Sequence, residues 1–280
     1  MAVGIALRTK SLQLYHFLCQ HIVGTEETVR TRRLLCTISD NLMHDDFRIR
    51  ITSGSVGEGL EMKGSDWDKM FVLKQFIVHE DTDNIKLDPN KINLIMEMHD
   101  TKPGFTQLRA VNFSVGMVRV VEQRCNSLYM SSELFKLDIL SGWKNNVSFD
   151  IKIHGPCLSD ISDTLDVAYC FHNPHWIQAA ENWISRGLAL WPSSDVKTKI
   201  IDHGVLFVPI GCKGSVNEAL EWRISFSVAE KLLIYSFSHT QLICYAMMKI
   251  LLKDVINSNI NCKNLLCSYF IKTIIFWVSE

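Results

Sequence analysis

The sequence predicts an α+β fold. A lobe built on a mixed β-sheet with flanking helices is expected over residues 1–215, and a helical lobe over residues 216–280. Three observations carry this reading. A long segment of helical period opens the chain. Short stretches alternating apolar and polar residues then recur between about residues 47 and 211. From residue 216 the apolar spacing is helical, with only short polar joints between segments.

The opening helix is clearest at TEETVRTRRLLCTISDNL. Thr25 is placed to cap it, Glu26 and Glu27 fall in its positive first turn, and Val29, Leu34, Ile38 and Leu42 form an apolar stripe. Arg30, Arg32 and Arg33 lie off that stripe, on a solvated face or a phosphate-contacting one. Strand signals follow at FRIRIT, DKMFVLKQFIV, MVRVV, FDIKIHG, TLDVAYCF and HGVLFVPIG. PHWIQAAENWISRGL reads as a helix entered at Pro174. NEALEWRISFSVAEKLLIYSF, TQLICYAMMKILLKDVI and LLCSYFIKTIIFWV read as successive helices. The last of them is apolar on more than one face and so expects further packing partners.

The bulk numbers narrow the function classes. With 47% hydrophobic and 21% charged residues the composition is that of a globular protein, and a net charge of −1 excludes a global basic field for nucleic acid. Nine scattered cysteines without a CxxC suit free thiols in a reducing compartment. The N-terminus lacks a signal-peptide core, and LICYAMMKILL is interrupted by Lys249 and Lys253. A cytoplasmic protein without a membrane span is the expectation.

Chemistry concentrates in ITSGSVGEGLEMKGSDWDKMFVL. Strand alternation puts Asp66 and Asp68 on one face and Trp67 and Lys69 on the other. Two neighbouring carboxylates repel, and a hard divalent cation, Mg²⁺ or Mn²⁺, relieves the repulsion. Gly54 and Ser55 offer a bare backbone and a hydroxyl beside them, suited to a nucleotide phosphate. A two-metal site needs a third acid. Asp166 sits in the apolar TLDVAYCF strand, where an isolated carboxylate would be costly. Asp160 and Asp163 lie in a more polar stretch and are weaker candidates. There is no Walker A motif, and Cys212-Lys213-Gly214-Ser215 reads as a turn.

These motifs, in order with HGPCLSD, EWRISFSVAEKLL and LLCSYFIKT, resemble the cGAS-like / male-abnormal twenty-one (Mab) family, in particular invertebrate cGAS-like receptors. The resemblance spans Gly54 to Lys272. It implies a nucleotidyltransferase in which Asp66, Asp68 and Asp166 are catalytic and hold Mg²⁺ or Mn²⁺. Gly54, Ser55, Arg223, Lys249, Ser268 and Tyr269 would bind nucleotide, with Tyr269 stacking on a base. It further implies ATP and GTP as substrates, a cyclic dinucleotide product and a role in innate immune signalling. Arg223 and Glu230 also fall seven apart on one expected helical face, so Arg223 could instead pair structurally through a neighbour.

Two departures matter. The vertebrate zinc insertion is represented only by His239 and Cys244, so no zinc is expected. DNA sensing is correspondingly less expected than sensing of double-stranded RNA. His172 and His175 read as capping or packing residues. The family also continues beyond the CSY helix, whereas this chain ends eleven residues after Tyr269. An incomplete helical lobe is therefore expected, with Ile274-Ile275-Phe276-Trp277 as the surface left to cover. The competing reading is a catalytically silent Mab-family protein that binds nucleotide or protein partners in development.

Overall fold

The computed structural model describes residues 2–81, 87–112, 115–144, 150–186, 191–263 and 265–280. Two helices, α1 (Ala2–His21) and α2 (Glu26–Leu42), precede strand β1 (Arg48–Ser53) and the one-turn helix α3 (Gly54–Gly57). Strands β2 (Trp67–Leu73), β3 (Phe76–His79), β4 (Ile92–Glu97), β5 (Phe105–Ala110), β6 (Val121–Arg124) and β7 (Ser127–Met130) lead to helix α4 (Ser132–Lys144). Next come β8 (Ile151–His154), β9 (Cys157–Asp160), β10 (Leu165–Asn173), the short α5 (Glu181–Ile184), α6 (Ser194–His203), β11 (Val205–Val208) and β12 (Glu221–Ser225). Helices α7 (Ser227–Tyr235), α8 (His239–Ile250), a π-helical turn (Leu251–Ile256) and α9 (Ser268–Ser279) complete the chain.

The strands form one mixed sheet in the order β1-β2-β10-β11-β12-β5-β4-β3, with β6 and β7 extending from β5, and β8 and β9 from β10. Most neighbours are antiparallel. The parallel pairs are β2 with β10 and β3 with β4. Alternation along β10 buries both faces. Val167, Tyr169 and Phe171 join the main core, whereas Cys170 packs with Met70, Val72, Leu206 and Val208. A strand covered on both sides reads as a continuous apolar run, as TLDVAYCF does. The main core is anchored by the fully buried Trp222. Its ring stacks on Phe171 at 4.6 Å, and its indole N–H donates to the Met130 carbonyl at 2.9 Å.

A second core joins α1, α2 and the C-terminal helices through Leu18, Val29, Leu60, Ile234, Leu242, Tyr245, Ile271 and Ile275. Gln241 and Ser238 form a capping box at the start of α8. Among the described residues no helix is long and apolar enough to cross a membrane.

The structure corrects several sequence expectations. Thr25 does cap α2, accepting from the Thr28 N–H at 3.2 Å. Its buried face, however, is Val29, Cys36 and Asp40, while Leu34, Ile38 and Leu42 are 59, 45 and 79% exposed. That face was hidden because Asp40 and Arg33 do buried work. Asp40 accepts the Thr52 N–H and hydroxyl at 2.7 and 2.6 Å. Arg33 donates to the carbonyls of Glu58 and Ile234 at 2.9 and 3.2 Å. Arg30 pairs with Glu26, and Arg32 with Glu61 and the Val23 carbonyl. Each of the three arginines is thus engaged within the chain.

MVRVV is no strand: a 3-10 turn ends at Met117 and β6 begins only at Val121. EWRIS is not helical but forms β12, because Trp222 and Ile224 fill the sheet core. Arg223 and Glu230 therefore do not share a helix face. PHWIQAAENWISRGL contains only a 3-10 turn and the four-residue α5, and its final residues lie outside the described chain. Strands β4, β5 and β7 and helix α4 were not anticipated.

His172 and His203 stack at 5.1 Å, and His172 Nε2 lies 2.6 Å from the His203 carbonyl. Burial, then the neighbouring His172, holds the His203 ring down at about 4. A histidine depressed in the folded state contributes stability above its unfolded pKa of about 6.5 and loses it as pH falls. Thermal melting of the wild type should therefore fall more steeply between pH 6.5 and pH 4.5 than that of His203→Asn. Equal slopes would show that this ring does not couple to folding.

Candidate active site

The site is built where β2 and β10 begin. Their parallel register sets Asp166 beside Asp68, so both side chains leave the same face of the sheet. Asp66, just before β2, completes a group in which one oxygen from each carboxylate lies within 4.8 Å of the others. Ser159, opposite Asp166 on β9, donates its hydroxyl to Asp166 Oδ1 and fixes that carboxylate's orientation. Burial pushes Asp68 up to about 7, with Asp66 and Asp166 adding like-charge repulsion. Lys272 offsets this only in part, so the carboxyl stays short of counter-charge. Three hard oxygen donors around one point fit a divalent cation.

Gly54 closes the other side. Its φ of +60° lies in the left-handed region, and a Cβ built there would fall 1.7 Å from Asp68 Oδ2. The acid can therefore occupy its position only because residue 54 has no side chain. The next residue, Ser55, hydrogen-bonds through Oγ to Lys249 Nζ from the end of α8. Burial lowers the Lys249 ammonium pKa, partly offset by the nearby Glu58.

A cleft of about 870 Å³ lies between this turn and the helical lobe. Ser55, Asp66, Lys249 and Ser268 line it, as do Lys63, Gly64 and Lys253. Tyr269 stands apart from them: it is 58% exposed and faces a neighbouring cavity of about 240 Å³ rich in tryptophan. Arg223 lies exposed on β12, close enough to influence both Cys157 and Tyr269 electrostatically. The structure therefore gathers the three acids with Gly54, Ser55, Lys249 and Ser268, and leaves Arg223 and Tyr269 at the margin.

Residues not singled out in the sequence also shape the site. Lys272 Nζ bridges Glu58 at 2.7 Å and Glu230 at 2.9 Å. Burial opposes its charge, but those two acids raise its pKa. Tyr245 adds its hydroxyl to Glu58 at 3.3 Å. Cys157, next to the acids on β9, has its thiol pushed up to about 12, first by burial and then by Asp166 and Asp68. GSVGEGL and FIKT carried Glu58 and Lys272 in plain view, but their partnership spans the two lobes and has no local spacing.

Asp160 holds its own turn by accepting from the Thr164 N–H and hydroxyl and the Leu165 N–H, each at 2.8 Å. Asp163 pairs with Lys152 at 2.8 Å. His175 is a turn residue whose N–H donates to Asn173 at 3.0 Å. His239 meets the Cys19 sulfur at 3.4 Å. The Cys212–Ser215 segment is a turn, as expected, closed by the Ser215 N–H on the Cys212 carbonyl at 2.9 Å.

Gly54→Ala should destabilise the protein by about 1–3 kcal/mol through overpacking against Asp68, measured by denaturant unfolding. Ser55→Ala adds no atom beside Asp68, so its effect reports the loss of the Ser55–Lys249 hydrogen bond instead. Equal stability of the Gly54→Ala and wild-type proteins would refute the close approach.

Comparison with known families agrees with this geometry. Residues 145–236 match the family model described as the Mab-21 protein nucleotidyltransferase domain. The matched segment contains Asp166 and Arg223. Asp66 and Asp68 lie outside it and are joined to it by the β2–β10 pairing. Over that segment the chain is similar to the Mab-21 nucleotidyltransferase domain, and its mixed sheet with flanking helices is of the kind a nucleotidyltransferase fold has.

Proposed function

We propose that this protein condenses ATP and GTP into a cyclic dinucleotide when it senses double-stranded RNA. The observation that carries the reading is the convergence of Asp66, Asp68 and Asp166 beside the Gly54-Ser55 turn. These acids would hold Mg²⁺ or Mn²⁺, which when bound neutralises triphosphate charge and lowers the pKa of an attacking hydroxyl. Ser55 and Lys249 donate to the phosphates from one side of the cleft, and Ser268 from another. Ser159 keeps Asp166 turned toward the reacting groups. Arg223 and Tyr269 hold the second nucleotide, whose 2′- or 3′-hydroxyl attacks the α-phosphorus as pyrophosphate leaves. A second such step closes the ring.

Duplex RNA enters this reading through the resemblance of the sequence to invertebrate receptors. Arg32 and Arg33 are engaged by backbone carbonyls of the chain, whereas Arg30 stays exposed beside Glu26 and open to a phosphate. A second reading, a catalytically silent regulator that binds proteins, is favoured by the exposed Leu34, Leu35, Ile38 and Leu42 face of α2.

Purified protein incubated with labelled ATP and GTP, Mg²⁺ or Mn²⁺, and duplex RNA or duplex DNA should give a nuclease-resistant product. Asp68→Asn should reduce it roughly a thousandfold, as for a group acting in the transition state. Absence of any product that this substitution removes, with nucleotide binding unchanged, would favour the silent reading.

The raised Asp68 gives a second expectation. A proton must leave it before a cation binds, so Mn²⁺ affinity measured without nucleotide should rise with pH and level off above about 7. Asp68→Asn should flatten this dependence. A flat wild-type profile across that window would count against a cation at the triad.

A further inference from the structure

Lys253 stands outside every role assigned so far. It follows Lys249 by four residues, and both side chains line the same wall of the 870 Å³ cleft. The helix does not continue regularly between them: α8 gives way at Leu251 to a π-helical turn running to Ile256. Such turns cost regular hydrogen bonding and recur at functional positions. Lys253 lies within this turn and lines the cleft.

The opposite wall comes close. Lys253 Nζ donates to the Lys63 carbonyl at 3.3 Å and lies 3.1 Å from where a Gly64 side chain would begin. Gly64 itself takes a φ of +78°. The bond is long for an ammonium donor, and among the described residues it is the one hydrogen bond given to a group with three donors. Lys63 lines the cleft as well, so a second cationic side chain borders it. Lys249, bound to Ser55, sits at the inner end near the acids.

We propose that Lys253 is a phosphate-recognition residue. It exchanges the Lys63 carbonyl for the outermost phosphate of a bound nucleoside triphosphate, and so selects triphosphates over shorter nucleotides. The proposal rests on the reading of the cleft as a nucleotide site. Two ammonium groups in line, Lys249 inner and Lys253 outer, would meet successive phosphoryl groups of one chain. Losing the carbonyl frees the Lys63–Gly64 backbone to settle over the nucleotide, so triphosphate binding and loop position become linked.

The test uses the full chain in wild-type, Lys253→Gln and Lys253→Arg forms. Titration calorimetry with Mg²⁺ would measure a non-hydrolysable ATP analogue and AMP against each. Lys253→Gln should weaken the triphosphate analogue roughly fivefold to tenfold, the range of a partly exposed charge-assisted contact, and change AMP binding less than twofold. Lys253→Arg should restore the analogue to within about twofold of wild type, since charge and donor are kept. Thermal melting without nucleotide should be the same for all three. Equal weakening of both ligands would reduce Lys253 to a loop tether and overturn the proposal, as would no weakening of either. Failure of the wild type to bind any nucleotide would instead sink the underlying nucleotide-site reading.

Discussion

Three like charges share one small volume because β2 and β10 run parallel and in register. Every other feature of the site follows from that constraint. Carboxylates so close repel, and burial strengthens the repulsion by removing water. The fold answers within its own chain only in part. A serine on β9 orients one acid, a glycine without a side chain gives room to another, and lysines from the helical lobe supply partial compensation at the rim. What is left uncompensated is a preference for positive charge at the centre of the group. Stability has been set aside locally for that preference, as is usual where charge is concentrated for chemistry.

The sheet and the C-terminal helices meet through the same region. Lys272 on α9 is clamped by Glu58, immediately after the Gly54 turn, and by Glu230 on α7. The backbone carbonyl of Glu58 is in turn held by Arg33 of α2, whose guanidinium also reaches carbonyls at the end of α7 and lies over the Tyr235 ring at 4.6 Å. One short segment therefore answers to three helices. Buried, mutually satisfied charges of this kind fix geometry more than they add stability. Displacement of α2 or α9 reaches the glycine turn through a hydrogen bond rather than through loose packing.

The sequence was most legible where local pattern and chemistry coincided. Asp66 and Asp68 were readable from strand alternation, and TLDVAYCF from a continuous apolar run, since both signals depend only on neighbours along the chain. The α2 stripe misled because its buried face carries an arginine and an aspartate, and apolar residues point to solvent. EWRIS misled because a single strand feeding a helix offers too few residues for a period to declare itself. Strands β4, β5 and β7 went unread for a similar reason: INLIME and FTQLRA are short and are made strands by their partners. The Glu58–Lys272–Glu230 bridge was invisible because its members are distant in sequence. No spacing rule connects residue 58 to residue 272.

The thiol of Cys157 has a consequence of its own. It lies on β9 within electrostatic reach of the acids and stays protonated at neutral pH, held there by burial first and by the acids second. The thiolate is the reactive form of a cysteine, so this sulfur is held in its unreactive state. The same proton dulls the sulfur toward oxidants and alkylating agents. The negative charge gathered for one kind of chemistry thus guards the pocket against another.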